Sequence, residues 1–356
     1  MDGLVAKYLK DKGYTNTLAA FEQECDIKDE PVTIEELMSY LPKKETKDDN
    51  VVTETGLDVA VQKTTSKNMI VDTKIINGHV VTTDSAKNLT FYDKSLKEVK
   101  SLKIQAVGRV IAAGANNTTL VGCMDGSIVQ VDSEYKCTSF KPHLRFVGGI
   151  SVSEDGLIAS IGFDKKVVVT KQDGFEQVAF IDSLTNPTAV AWTQHGLAVS
   201  REDCTSIQLL SNHLEKLRTI PLVDAHYMPH SFTVFDMVYD SAAKEIACLT
   251  SHTPYARIII VKSDESVVSF PTLIPQDKYS LGRLSWLNST TLAIAGDDGA
   301  VRLFDQKVWQ KISVADSRLR CISASKGCIA SASIDKEVEL VQVESLEDSL
   351  AELKLN

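Results

Sequence analysis

The residues best placed for chemistry in this sequence are two histidines four positions apart, His226 and His230, with Asp224 beside them. On a helix, this spacing would put two imidazole ligands on one face, as zinc sites require. Pro229 lies between the histidines and breaks a helix, and no Glu follows the first His as in zinc proteases. We therefore interpret this stretch as a surface loop and expect no metal site.

Other arrangements that carry catalysis are missing from the sequence. It contains no GxGxxG or GxxxxGK[ST] phosphate loop and no G-x-S-x-G nucleophile turn. Cys321 and Cys328 have no histidine nearby in sequence, although folding could still bring one close. The remaining carboxylates are dispersed at turns, where hydrogen bonds within the fold explain them. We expect no catalytic residues and no cofactor, and we predict that the protein is not an enzyme.

Composition limits the partners and the compartment. The 356 residues are 24% charged and carry a net charge of −10, and no Lys/Arg-rich block occurs. Nucleic acids and anionic membranes are bound by clustered positive charge, so we expect neither as a direct partner, although folding can assemble a local basic patch. The seven cysteines form no C-x-x-C pair, and no signal peptide or membrane span is visible. These features predict an intracellular protein of the cytoplasm or nucleus.

The N-terminal stretch predicts two short amphipathic helices. Val5, Tyr8 and Leu9 share one face of the first helix, and Gly13 supplies the turn to the second. The second helix begins after Thr15 or Thr17, and its apolar face ends at Cys25. Two helices of this length cannot bury a stable core alone, so a second copy of the pair, or the neighbouring domain, must cover the apolar stripe.

Residues 3–27 resemble the LisH motif, which is a helical module that homodimerises into a four-helix bundle. The resemblance rests on Val5-x-x-Tyr8-Leu9, Gly13-Tyr14, Thr17, Phe21 and Glu24, and it departs from the family at Leu18, where Ala is usual. The resemblance implies a homodimer. The residues expected at its interface are Val5, Tyr8, Leu9, Tyr14, Leu18 and Phe21.

The segment after this motif is polar. Thr33-Ile34-Glu35-Glu36 forms a capping box, and the apolar residues after it predict a third helix ending near Pro42. This helix either packs on its own chain or binds a partner, and packing is the preferred interpretation. We assign residues 1–42 to the helical module and residues 43–56 to a flexible linker.

From residue 57 the pattern becomes that of an all-β repeat protein. Short β-branched strands alternate with turns, and one turn residue recurs every 37 to 49 residues, with a mean of about 42. The recurring residues are Asp84, Asp125, Asp164, Asp203, His252 (in place of an acid), Asp298 and Asp335. Seven units of four strands favour a seven-bladed propeller, with six or eight blades as alternatives.

Residues 143–170 resemble a WD repeat most closely. In that family a His, a Ser and an Asp form a hydrogen-bonded set with a Trp, and the matching residues here are His143, Ser160 and Asp164, with Thr170 at the Trp position. Ser331 and Asp335 repeat the Ser/Asp half of the set. The resemblance implies structural roles for these residues and for the recurring turn residues Asp84, Asp125, Asp203 and Asp298.

The predicted ring needs a closing strand, because the last blade runs out after its third strand near Val343. Leu57 to Gln62 alternates apolar and polar residues and fits that role. The propeller therefore spans residues 57–343. Residues 344–356 predict a helix with Leu346, Leu350 and Leu353 on one face, which packs on the propeller or binds a partner.

A WD-type propeller would present one face built from the turns between second and third strands and from the connections between blades. The residues expected there for protein binding are Met124, Arg145, Phe163, Arg201, His252, Tyr255, Asp297, Arg318 and Ile334. Arginine and aromatic residues are enriched in binding hot spots.

The combined expectation is an all-β protein: a seven-bladed WD-type β-propeller preceded by a small α-helical LisH dimerisation module. The function expected from it is that of a homodimeric scaffold, or adaptor, in a multiprotein complex, whose propeller binds other proteins. The alternative is a reader of short peptides, such as a histone tail, a degron or ubiquitin, within a corepressor or ubiquitin-ligase complex.

Overall fold

The computed structural model describes residues 9–10, 13–17, 54–202, 204–222, 232–253, 255–275, 283–325 and 327–342. The chain divides into two compact units, Met1–Val51 and Val52–Asn356. Within the described residues, no helix has the length and apolar character that crossing a bilayer demands.

In the N-terminal unit, residues 9–10 and 15–17 are helical on either side of Gly13. Gly13 has a φ of +74°, a conformation that glycine adopts without strain. Its N–H donates to the carbonyl of Lys10 at 3.1 Å, and the N–H of Tyr14 donates to the carbonyl of Leu9 at 2.9 Å. This pair of bonds is the Schellman ending of a helix, so Gly13 ends the first helix as the sequence predicted.

The second unit is a seven-bladed β-propeller, as predicted, in which each blade contains four antiparallel strands with the first strand innermost. The strands of blades one to four are β3 (Ile70–Ile76), β4 (His79–Asp84), β5 (Asn88–Tyr92) and β6 (Glu98–Lys103); β7 (Gly108–Ala113), β8 (Thr119–Cys123), β9 (Ile128–Val131) and β10 (Cys137–Phe140); β11 (Val147–Val152), β12 (Leu157–Gly162), β13 (Lys166–Lys171) and β14 (Gln177–Asp182); and β15 (Pro187–Thr193), β16 (Gly196–Arg201), β17 (Ser206–Leu210) and β18 (Lys216–Pro221).

Blades five to seven follow the same order of strands. They comprise β19 (Val234–Asp240), β20 (Glu245–Thr250), β21 (Tyr255–Val261) and β22 (Val267–Pro275); β23 (Arg283–Asn288), β24 (Thr291–Ala295), β25 (Ala300–Phe304) and β26 (Trp309–Ser313); and β27 (Leu319–Ser325), β28 (Cys328–Ser333) and β29 (Glu337–Gln342). Blade seven takes its fourth strand from the start of the propeller, β2 (Val61–Thr65), which pairs antiparallel with β29. This strand closes the ring and leaves no gap between the first and last blades.

The closing strand differs in position from the predicted segment, Leu57 to Gln62. Leu57 instead continues the pairing of an unpredicted strand, β1 (Glu54–Gly56), which lies parallel to β26 as a fifth strand of blade six. Leu57 and Val59 pack against the apolar core between blades six and seven, which explains their alternating pattern without a strand. The predicted linker over residues 43–56 is therefore wrong at its end, because residues 54–56 belong to the propeller.

Apolar packing joins each blade to the next. Among the described residues, seven clusters of buried apolar side chains fill the junctions between successive blades, including the junction of blades seven and one. Successive residues of a strand face the two neighbouring blades in turn, so both faces of the sheet are buried. The sequence of such a strand is therefore almost continuously apolar, as in Ile258–Val261.

Polar side chains of the innermost strands add hydrogen bonds across these junctions. Asp72 of blade one accepts the N–H of Ile111 of blade two at 2.7 Å, and Asp236 of blade five accepts the N–H of Leu284 of blade six at 3.1 Å. Serine hydroxyls act in the same way at three other junctions, where Ser151, Ser285 and Ser323 accept the N–H groups of Trp192, Ala324 and Ile75. These bonds fix the innermost strands around a central cavity of about 1090 Å³.

Candidate interaction face

One face of the propeller, which we call the upper face, carries the turn from the second to the third strand of each blade and the connection to the next blade. The antiparallel pairing places these segments together, as the partners Ile70–Asp84 and Asn88–Lys103 show for blade one. The predicted binding residues come from such turns and connections or, for Arg201 and Tyr255, from the strand ends beside them.

Large apolar side chains are exposed on this face. The exposed ones in its turns, connections and adjoining strand ends are Met69, Met124, Leu144, Leu184, Tyr255, Leu273 and Ile334, and Leu144 and Leu184 are 81% and 79% exposed. By the same criterion, the exposed large apolar side chains of the opposite face among the described residues are Val99 and Leu217, each at the start of an outer strand. Concentration of exposed apolar surface on one side of a soluble domain is typical of an interaction site.

The structure places most of the predicted binding residues at this surface. Met124, Tyr255 and Ile334 are exposed, Arg145 is exposed, and Phe163 and Arg201 are half-buried. Arg318 lies 3.4 Å from a carboxylate oxygen of Asp297. Arg318 and Asp297, which are both predicted binding residues, therefore form an ion pair within the upper face.

His252 does not belong to the surface, and its predicted binding role is wrong. Its side chain is 4% exposed, lies 2.5 Å from the hydroxyl of Thr250, and stacks on Phe232 with ring centroids 4.3 Å apart. The imidazole turns inward because Thr250 and the Phe232 ring offer it both a polar and an apolar contact. It is a packing residue of blade five.

The His–Ser–Asp set of blade three is assembled. His143 Nδ1 lies 3.0 Å from Asp164 Oδ1, and its Nε2 lies 2.9 Å from the hydroxyl of Ser160. Asp164 also accepts the N–H of Leu144 at 2.9 Å, which ties the turn to the connection before the blade. Burial lowers the pKa of His143, although Asp164 opposes this shift, and Thr170 is buried where the Trp of a WD repeat would lie.

Two other predicted turn residues organise their own loops. Asp84 is 5% exposed and accepts hydrogen bonds from the N–H groups of Ala86 and Asn88, both at 2.9 Å. Asp125 accepts the hydroxyl and the N–H of Ser127 at 2.6 and 3.1 Å. Carboxylates that accept nearby N–H groups in this way stabilise tight turns.

Asp298 has a different environment, since it binds a buried arginine. The guanidinium of Arg302, a residue that is 3% exposed, donates to both oxygens of Asp298 at 2.8 and 2.9 Å and to Glu54 at 2.9 Å. Lys311 also lies 2.8 Å from Asp298. Hydrogen bonds from Arg302 and Lys311 hold the pKa of Asp298 below its usual value against the opposing effect of burial. This network attaches the first strand of the propeller to blade six.

The last predicted pair, Ser331 with Asp335, is not formed. Asp335 is exposed in the β28–β29 turn, and Ser331 donates instead to Glu339 on the next strand at 2.9 Å. The strand register places Ser331 directly opposite Glu339, so Ser331 bonds to Glu339 rather than to Asp335, which is nearer in sequence. Asp203, another predicted turn residue, lies outside the described residues.

Sequence reasoning missed a group of arginines at the upper mouth of the central cavity. Arg109 and Arg320 each lie at a register shift one residue into the innermost strand of their blade, and Arg283 begins the innermost strand of blade six. Arg109 stacks on Phe146 and Phe163, with its guanidinium 4.6 and 5.4 Å from their ring centroids. An alignment of the seven repeats at the start of each innermost strand would have shown that Arg109 and Arg320 occupy the same position in their repeats.

Of the predicted dimerisation residues, only two are described. Leu9 is half-buried in the first helix, and the ring of Tyr14 is 54% exposed. Val5, Tyr8, Leu18 and Phe21 lie outside the described residues, as do the predicted third helix, the histidines at 226 and 230, and the predicted C-terminal helix. Among the described residues, no group of three or more His, Cys, Asp or Glu side chains is arranged to hold a metal ion.

The fold and the face define a class of protein: a β-propeller joined to an N-terminal LisH domain, two kinds of domain that generally mediate protein interactions. The β-propeller domain model of the UCP007778 family matches residues 43–342, and the LisH domain model of the same family matches residues 2–27. The chain belongs to this UCP007778 family. A search of curated proteins found no match.

Proposed function

We propose that this protein is a non-enzymatic, homodimeric scaffold subunit of an intracellular multiprotein complex, located in the cytoplasm or the nucleus. Its LisH domain forms the dimer, and the upper face of each propeller binds other proteins without direct contact to nucleic acid or membrane. The observation that carries the proposal is the concentration of exposed apolar side chains on the upper face of a chain that also contains a LisH domain. Dimerisation then presents two such faces, which raises avidity for a repeated or dimeric target.

Self-association is tested by light scattering coupled to size exclusion on the full chain. Phe21→Asp changes a residue of the LisH pattern, and we expect it to convert a dimer into a monomer. The matched control is Phe180→Asp, which places the same charge on a 52% exposed phenylalanine of the propeller's outer strand β14. A monomeric wild-type protein, or a Phe21→Asp variant that stays dimeric, would contradict the proposal.

Partner binding is tested by affinity purification of the tagged protein from its own cells, followed by mass spectrometry. We expect Met124→Asp to remove partners, because it places a charge within the apolar upper face. Val99→Asp is the control, since Val99 is 47% exposed on the outer strand β6 and Met124 is 49% exposed. Partners that survive Met124→Asp together with Ile334→Asp would show that the upper face is not their binding site.

The alternative is a reader of a short peptide, and the arginine and phenylalanine side chains around the cavity mouth favour it. A reader keeps its specificity as a monomer, so Phe21→Asp would only weaken binding, whereas Phe163→Ala or Arg201→Ala would abolish it. A scaffold would instead lose its assembled partners together when the dimer is broken. Turnover of any substrate by the purified propeller would overturn the non-enzymatic part of both proposals.

A further inference from the structure

The upper mouth of the central cavity is chemically asymmetric. In six blades the innermost strand has a register shift just after its first residue, and a shift of this kind leaves one residue unpaired and redirects its side chain. The residues at these shifts are Val71, Arg109, Gly148, Thr188, Phe235 and Arg320. Blades one, three, four and five therefore contribute uncharged residues at this position, whereas blades two and seven contribute arginines.

A third arginine extends this basic sector. Arg283 begins the innermost strand of blade six and lines the cavity with Arg109. Burial, together with the positive charges of Arg283 and Arg320, lowers the pKa of Arg109, while Asp72 opposes the shift. The positive charges of Arg283 in blade six and Arg320 in blade seven thus act on the guanidinium of Arg109 in blade two, in a protein whose net charge is −10.

Two acids, Asp72 and Asp236, line the same cavity as Arg109 and Arg283 and also accept backbone N–H groups. Asp72 accepts the N–H of Ile111 at 2.7 Å, and Asp236 accepts the N–H groups of Met237 and Leu284 at 3.0 and 3.1 Å. At the opposite end, the cavity is lined by Glu154 and Asp155 of the first turn of blade three. Both positive and negative side chains therefore lie towards the upper mouth, whereas the charged side chains in the lower turn of blade three are acidic. An anion is accordingly favoured beside the arginines rather than at the lower end.

The geometry of Arg109 suits recognition of an anion. Phe146 and Phe163 stack closely, with ring centroids 3.8 Å apart, and the guanidinium lies over both rings. Stacking on an aromatic face fixes the plane of a guanidinium and leaves its edge for two parallel hydrogen bonds to a carboxylate or a phosphate. The Nε atoms of Arg109 and Arg320 are buried and make no hydrogen bond to any described residue.

Exposed apolar side chains lie beside this basic sector. Met69 precedes the innermost strand of blade one, and its sulfur lies 3.2 Å from a guanidinium nitrogen of Arg320. Met124 and Ile334 lie at the turns of blades two and seven and are 49% and 45% exposed. A peptide fits such a surface when an anionic side chain is flanked by apolar ones.

We propose that the upper mouth binds a peptide segment through an anionic side chain, a carboxylate or a phosphorylated hydroxyl, held by Arg109, Arg283 and Arg320 with apolar neighbours on Met69, Met124 and Ile334. This inference rests on the proposed role of the upper face in protein binding and specifies the chemistry of the ligand. An acidic peptide is preferred to RNA because Met69, Met124 and Ile334 expose apolar side chains around the arginines, which suit apolar residues of a peptide.

The test uses the full chain and random peptide libraries that differ only at a fixed central residue: Glu, Gln, phosphoserine or Ser. The protein is immobilised, and the retained peptides are quantified by mass spectrometry. We expect enrichment of Glu over Gln, or of phosphoserine over Ser, by about tenfold, which corresponds to one charged hydrogen-bonded pair. The two comparisons distinguish a carboxylate ligand from a phosphorylated one, and raising the salt concentration should weaken both.

Substitutions of the arginines test whether the enriched peptides bind at the upper mouth. Arg109→Gln and Arg320→Gln should each reduce the enrichment to about twofold or less, since each removes a donor to the anion. Arg218→Gln is the matched control, because it removes one positive charge from the outer strand β18, where Arg218 pairs with Glu265. If Arg109→Gln fails to fold, Arg320→Gln still provides the test, and thermal unfolding of each variant identifies that case.

Three outcomes would overturn the proposal: no preference for anionic over neutral peptides, a preference that survives both arginine variants, or retention of a short poly(U) RNA in place of peptides. Selection of neutral peptides that Met124→Asp abolishes would refute the anionic chemistry while leaving protein binding by the upper face intact. Failure of the scaffold proposal has a separate readout, namely the oligomeric state and the partners captured from cells.

Discussion

The hydroxyl of Ser331 donates a hydrogen bond of 2.9 Å to the carboxyl group of Glu339, directly opposite on the neighbouring strand of blade seven. Both residues are almost completely buried, at 1% and 0% exposure. Burial raises the pKa of Glu339 to about 7, although the hydrogen bond from Ser331 opposes the shift. A carboxyl group that remains protonated up to neutral pH makes the stability of this blade sensitive to pH.

The first prediction concerns this pH dependence. The unfolded chain loses the Glu339 proton above its ordinary pKa of 4.5, whereas the folded chain keeps it up to about 7. Unfolding therefore releases a proton in this window, and the free energy of unfolding should fall as the pH rises through it, by about 3 kcal/mol in total. Glu339→Gln should remove this contribution, as measured by urea denaturation at several pH values across the window.

The control for this measurement lies on the same strand. Glu337 is partly exposed and lies 3.3 Å from Lys63 of the closing strand. Glu337→Gln should retain the wild-type dependence on pH. Identical pH profiles for the wild type and Glu339→Gln would show that the buried carboxyl does not hold its proton.

The second prediction concerns the hydrogen-bonded set of blade three. His143→Ala leaves Asp164 and Ser160 without their imidazole partner in a buried site, and the free energy of unfolding should fall by about 2–3 kcal/mol. His195→Ala is the control because His195 is exposed at a turn of the opposite face, and it should change stability by less than about 0.5 kcal/mol. Equal effects of the two substitutions in urea denaturation would refute a structural role for the set.

The third prediction concerns the attachment of the first strand. Asp298→Asn weakens the pairing of the buried Arg302 guanidinium, so we expect a loss of about 2 kcal/mol in the free energy of unfolding. Asp182→Asn should have almost no effect, since Asp182 is 73% exposed and lies 3.9 Å from Lys166. Because the pKa of Asp298 is lowered, its contribution is present above its ordinary pKa and is lost as the pH falls below it. An Asp298→Asn variant as stable as the wild type would contradict this role.

The fourth prediction compares two glycines with similar backbone conformations. Gly126 and Gly156 have φ values of +88° and +76°, so alanine is strained at both positions. A Cβ at Gly126 would also lie 2.2 Å from the carbonyl oxygen of His143, whereas a Cβ at Gly156 would have its nearest neighbour at 3.9 Å. Gly126→Ala should therefore cost clearly more than the roughly 1–2 kcal/mol expected for Gly156→Ala. Thermal unfolding of the two variants measures the difference, and equal costs would argue against the close approach.

The repeat pattern could be predicted from the sequence because its physical cause is local. A turn between two short strands needs a residue such as Asp84, whose carboxylate accepts N–H groups two and four positions later. Gly13 is predictable for the same reason, since the end of a helix depends on the conformation of one residue. Local rules of this kind recur at a fixed period, and that period indicated seven blades.

Tertiary structure decided the residues whose partners are distant in sequence. Glu54 binds Arg302 and Ser323 binds the backbone of Ile75, each across 248 positions, because closing the ring brings the two ends of the propeller together. The same closure gathers Arg109, Arg283 and Arg320 at one mouth, although the sequence contains no basic cluster. His252 illustrates the remaining difficulty: a turn residue is exposed or buried according to what packs beside it, and the Phe232 ring that covers it comes from another part of the blade. The sequence by itself therefore determined the repeating unit and the helix end, whereas the closed ring determined which side chains meet at its centre.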